Sequence, residues 1–117
     1  MDLDNAIQKH AEWKTKFRTA ISQHEKVDAA AIGKDNVCEL GQWLAGPARH
    51  HYGTLPEYRE CMANHTAFHV EAGKVAVIIN AGKYAEAEEM MSSGTPYARA
   101  STAAGGAIFA LKIATQK

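Results

Sequence analysis

Proline is scarce in this sequence, confined to positions 47, 56 and 96, and β-branched residues nowhere alternate with polar ones over a useful length. The first fact leaves long stretches free to be helical, and the second removes the period-two signature of strands. Long apolar runs are missing too, none approaching the roughly 18 residues of a membrane span. The acidic start Met1-Asp2-Leu3-Asp4 lacks the apolar core of a secretory signal. Neither charge is in excess, with 13 Lys plus Arg against 13 Asp plus Glu. Nothing therefore draws the chain to nucleic acid or to an anionic membrane, and neither is expected as a partner. The expected address is the cytoplasm. Only two cysteines occur, Cys38 and Cys61, and a reducing compartment argues against their forming a disulfide. Each is left as a core residue, a reactive thiol or a metal ligand. A length of 117 residues suits one domain, 1–117, able to bury a core of its own.

What is present reads as helix from end to end. Leu3, Ile7, Trp13, Phe17 and Ile21 recur at helical spacing and predict one amphipathic helix from Leu3 to about His24, with His10 inside its apolar stripe. A polar, Ala-rich stretch follows over residues 25–34. Asn36 is the expected cap of a second helix carrying Cys38, Leu40 and Trp43 and ending at Gly46-Pro47. Residues 48–53, with His50 and His51, read as a loop. Thr54, with Glu57 three residues on and Pro56 in the first turn, is the expected cap of a third helix running from about Leu55 to Asn80. Its inward face is Tyr58, Cys61/Met62, His65, Phe68/His69, Ala72, Val75/Ala76 and Ile79, and Ala81-Gly82 ends it. A short helix over 83–91 and a last one from Pro96 to about Thr115 complete the chain. Gly105-Gly106 in the last helix costs roughly 1 kcal/mol per glycine against Ala, which close approach of another helix would offset. The expectation is an all-α, antiparallel four-helix bundle with a short additional helix.

The chemistry lies in the histidines. His65 and His69, at i and i+4, share one helix face, where two imidazoles can hold one metal. A lone core histidine is ordinarily a satisfied hydrogen-bonding residue. Three of them on inward stripes that are otherwise apolar each need a buried partner, and a metal ion serves all three at once. A closed tetrahedral zinc site takes four protein ligands. Cys38 is the preferred fourth, because Gly41 permits close packing there and Leu40 and Trp43 shield it. Cys61 is the rival, in a row with His65 and His69. That row spans about 12 Å at 1.5 Å per residue, too far for its ends to share one ion, so Cys61 is assigned to the core.

His10-Ala11-Glu12-Trp13, Cys38-x-Leu40-Gly41-x-Trp43 and His65-x3-His69 together resemble the chemoreceptor zinc-binding (CZB) domain family over nearly the whole chain. The resemblance implies a four-helix bundle holding Zn²⁺ through His10, Cys38, His65 and His69, often as a homodimer. It also implies a sensory or regulatory role in bacterial signalling, with the output given by a chemoreceptor or a diguanylate cyclase. Residues 1–117 leave no room for a signalling coiled coil or a cyclase, so that output is expected from a partner or from sequence beyond this chain.

Three other chemistries compete. If Cys38 only packs, three histidines and a water resemble a hydrolytic zinc site, but no paired carboxylates, nucleophile elbow or phosphate-cradling loop accompany it. A non-haem iron bundle needs inward carboxylates, and no Glu-x-x-His occurs among the inward residues. The missing Cys-x-x-Cys-His excludes a c-type haem. The expectation is thus a non-enzymatic zinc domain, with a purely structural zinc as the plainer alternative to a responsive one. His24, His50 and His51 are left unassigned.

Overall fold

Eight helices make up the computed structural model, which describes residues 1–116. They are α1 Leu3–Ala11, α2 Trp13–Gln23, α3 Ala29–Ile32, α4 Glu39–Ala45, α5 Pro47–Tyr52, α6 Pro56–Asn80, α7 Tyr84–Met90 and α8 Pro96–Thr115. No strand occurs among the described residues. Asp2 caps α1 by accepting from the Asn5 amide, and the helical course is interrupted only at Glu12, whose backbone stays in the right-handed region. The expected first helix is therefore two segments, α1 and α2. Its inner stripe is as predicted: Leu3, His10 and Phe17 are buried, with Trp13 and Ile21 packed against the core.

Four rods run up, down, up and down. The second is the least regular, because residues 27–45 descend along α6 as a strap rather than as one helix. Val27 pairs with Asn80, Asp35 accepts from the Thr66 hydroxyl, and Leu44 O accepts from Tyr58 Oη, so the register falls steadily along α6. α8 runs back along α1–α2: Lys112 reaches Asp4 at 2.8 Å, and Tyr97 packs on Phe17. The expected antiparallel four-helix bundle is thus present, with α4 as its short rod and α7 as the additional helix.

The core lies on either side of the buried histidines. Phe17, Phe68, Val75, Ile79, Met91 and Tyr97 fill one half. Leu3, Leu40, Leu44, Tyr58, Ile108 and Leu111 fill the other. Every residue assigned to the inward face of α6 is buried except Met62, which is half-buried. Gly82, in the left-handed region at φ 78°, ends the α6 turn as expected.

Four local expectations are corrected. Residues 48–53 are not a loop: Pro47 stands at the first position of α5, where its missing N–H costs nothing, and Ala48 is fully buried. The cap of α4 is Cys38 rather than Asn36, and its Sγ accepts from the Gly41 amide at 3.3 Å. Thr54 does not cap α6, since Leu55 occupies that position and makes no side-chain cap bond. The stretch 25–34 contains a helical turn, α3, which Asp28 caps through the Ala31 amide.

Candidate metal centre

Three rods each deliver side chains to one point near mid-bundle. α1 brings His10, the start of α4 brings Cys38, and α6 brings His65 and His69 one turn apart. All three histidines are buried and Cys38 is half-buried. Their donor atoms lie within 4.8 Å of one another. Between Nε2 atoms, His65 stands 3.2 Å from His10 and 3.0 Å from His69. Cys38 Sγ lies 3.2 Å from His65 Nε2, 3.6 Å from His69 Nε2 and 4.0 Å from His10 Nε2. Zinc bonds of about 2.0 to 2.3 Å at tetrahedral angles require edges of about 3.4 Å between nitrogens and about 3.6 Å from nitrogen to sulfur. The donor set fits such an ion.

The outer contacts of the rings fit it too. His10 Nδ1 donates to Ala6 O at 2.7 Å, within its own helix. His69 Nδ1 donates across to Ile32 O on the strap at 2.8 Å. A carbonyl only accepts, so each of these rings carries its proton on Nδ1 and turns a bare Nε2 lone pair toward the shared point. Metal-bound histidines are ordinarily held this way. Phe68 packs edge-on against both His10 and His69, with ring centroids 5.5 and 5.4 Å away, and fixes their tilt from the core side.

Electrostatics point the same way. Burial, with His69 and His10 adjacent, pushes the His65 pKa down to about 3, and burial lowers that of His10. Both rings are therefore neutral at physiological pH, the form in which imidazole ligates. Burial raises the Cys38 thiol, opposed by the Gly41 amide that bonds its sulfur. Without a cation at that point, Cys38 is held as a thiol.

Gly41 allows this convergence. A side-chain carbon added to it would overlap the Asp35 carbonyl oxygen, stand 2.8 Å from the Asp35 carbonyl carbon and crowd His65 Cε1 at 3.2 Å. Leu40 is fully buried and lines the cleft at Cys38 and His10, whereas Trp43 packs against the Leu44 and Tyr58 half of the core with its ring 6.2 Å from that of Tyr52. Cys61 lies elsewhere. It is fully buried in the apolar half of the core, where burial alone pushes its thiol up to about 11. His24, His50 and His51 stand exposed, away from the four donors. Sequence reasoning missed the strap that carries Ile32 O and Asp35, because its place depends on a close crossing of α6 rather than on any local signal.

Comparison with known proteins agrees with this geometry. The family model for the chemoreceptor zinc-binding domain matches residues 10–76, a span that begins and ends around the four convergent residues. No curated protein and no solved structure matches the chain.

Proposed function

The chain belongs to the chemoreceptor zinc-binding domain family, and from that premise we propose that residues 1–117 form one sensory domain that binds Zn²⁺ through His10, Cys38, His65 and His69. The observation that carries the reading is the meeting of three imidazole nitrogens and one sulfur within 4.8 Å. Soft thiolate with imidazoles selects zinc over the harder metals. Four protein donors leave no coordination position for a substrate or a reactive water, so the domain regulates and does not catalyse. Among the described residues no helix is long and apolar enough to cross a membrane, and the proposed site of action is the cytoplasm.

A zinc ion held by these four residues would keep Cys38 as a thiolate at neutral pH, where a free thiol is mostly protonated. That thiolate is reachable. A cleft of about 340 Å³ opens beside Cys38 and His10, walled by Asn5, Lys9, Trp13 and Glu39. A peroxide entering there is attacked by Cys38 Sγ: an S–O bond forms, the O–O bond breaks, hydroxide leaves, and the sulfur becomes a sulfenic acid. The weakened ligand then releases α4. This helix has only seven residues, and its release would give up the burial of Leu40 and Leu44 and the Tyr58–Leu44 bond while leaving the backbone ladders of the long rods intact. Its release is the signal read by a partner of the chemoreceptor or diguanylate cyclase type in a bacterial signalling system.

A homodimer completes the proposal. Gly105 and Gly106 in α8 have open space where their side chains would lie, with nothing within 4 Å, and so no helix of this chain offsets their cost. A second copy against this small-residue face would, and light scattering that gives a monomer at every accessible concentration rejects it. Hydrogen exchange tests the switch itself. Mild oxidation of the zinc-loaded protein should speed exchange over about residues 36–46 alone. No change there, or collapse of the whole bundle, leaves a structural zinc and no switch.

A further inference from the structure

His10 and His69 are both oriented through Nδ1, but from different sources. The acceptor for His10 belongs to its own helix, while that for His69 belongs to the strap, a separate piece of chain. Whatever fixes the strap on α6 therefore fixes one metal-facing imidazole and, six residues after Ile32, Cys38 as well. Two attachments do this, one before Ile32 in the chain and one between Ile32 and Cys38. At the upper end, Asn80 Oδ1 accepts from the Val27 amide and Asn80 Nδ2 donates to Val27 O, each at 2.8 Å. Immediately after Ile32, Gly33 crosses Gly73 so closely that a side-chain carbon on Gly73 would stand 2.9 Å from Gly33 Cα. Gly73 is buried and lies one turn beyond His69 on the same face of α6.

We propose that Gly73 is a positioning residue of the metal centre, whose missing side chain seats the strap closely enough for Ile32 O to hold His69 in its metal-binding tautomer. The inference rests on the ligand assignment above and adds a residue that touches no ligand. Carbon atoms rest at about 3.5 to 4.0 Å, so a methyl at position 73 lifts Gly33 by roughly 0.6 to 1 Å. The 2.8 Å bond from His69 Nδ1 to Ile32 O then stretches beyond hydrogen-bonding range. Released from that acceptor, the ring is free to move its proton to Nε2 and lose the lone pair a metal needs. Asn80 acts in the same direction from further away. His10 is indifferent to both.

The test is Gly73→Ala, with Asn80→Ala as the second variant because it loosens the strap without adding an atom to the core. Two quantities are read on each variant of the 117-residue chain: zinc affinity in competition with a chromophoric chelator, and the imidazole nitrogen pattern in long-range ¹H–¹⁵N spectra. Loss of an outer partner of a metal ligand typically costs tenfold to a hundredfold in affinity, and a loss of about tenfold or more is expected for Gly73→Ala. Asn80→Ala should show a smaller loss. The His69 pattern should depart from Nδ1 protonation while the His10 pattern stays native. Native zinc affinity with a native His69 pattern in both variants overturns the proposal. Equal disturbance of His10 and His69 also overturns it, since that marks general loosening. If the unsubstituted protein takes up no zinc, the ligand assignment falls first and this inference with it. Zinc uptake by the unsubstituted protein with no effect of either variant refutes positioning alone.

Discussion

Replacing Gly41 with Ala is the most informative single perturbation of the candidate site, because it alters no donor atom. The new methyl carbon would stand 2.8 Å from the Asp35 carbonyl carbon and overlap its oxygen. Ordinary carbon contacts need about 3.5 to 4.0 Å, and relieving the overlap with the oxygen needs more, so the start of α4 and the loop before it must part by at least about 1 Å. Neither side has a flexible end to yield, since both are backbone. Cys38, three residues earlier, caps this same turn through the Gly41 amide, and its sulfur moves with the turn. Metal–ligand distances tolerate about 0.2 Å, so a 1 Å shift removes the sulfur from a shared ion. The expected result is a zinc affinity lower by at least about a hundredfold, or about 2.8 kcal/mol. Chelator competition measures it. Cobalt substitution checks the cause, since the sulfur-to-metal band should fade in step. A Gly41→Ala protein with native zinc affinity and a native cobalt spectrum would refute the claim that close packing at Gly41 holds Cys38 in place.

Other predictions follow from the same geometry. Cys38→Ser should abolish the thiolate band of the cobalt form, whereas Cys61→Ser should leave it intact and reduce stability only; the reverse result would make Cys61 the ligand. His65→Ala and His69→Ala should sharply lower metal content, while His50→Ala and His51→Ala, on the exposed face of α5, should leave it unchanged in elemental analysis of the purified proteins. The zinc-free protein should weaken in acid. His65 titrates at about 3 when folded, against an ordinary histidine value near 6.5 when unfolded, so the unfolded chain binds more protons in between. Stability is then complete above about pH 6.5 and falls as the pH drops toward about 3, and urea midpoints that stay flat across that window would contradict the burial of this ring.

The parts legible in the sequence were those governed by helical periodicity. α6 is the clearest case, since its inner stripe from Tyr58 to Ile79 repeats every three to four residues, and the histidines stand out as the polar members of that stripe. His10 was found by the same logic on α1. Local start signals misled where two compete. Pro47 after Gly46 reads as a stop, yet proline is equally at home in the first turn of a new helix, and α5 begins there. Thr54 and Glu57 have capping-box spacing, but Pro56 fixes the first helical position and makes Leu55 the cap. Cys38 was identified for its chemistry and overlooked as a cap, because sulfur is an unusual acceptor for that role. Of the strap only α4 was legible, and the course of residues 27–35 along α6 was not. Gly33 and Gly73 stand 40 positions apart, and only the folded chain shows that one exists for the other.

Whether three imidazoles and one thiolate close the site is read most directly by X-ray absorption at the zinc edge of the loaded protein. The zinc should show three nitrogen neighbours at about 2.0 to 2.1 Å and one sulfur at about 2.3 Å, with the sulfur lost in Cys38→Ser and kept in Cys61→Ser. A shell without sulfur, or one completed by a water oxygen in the unsubstituted protein, would contradict this coordination.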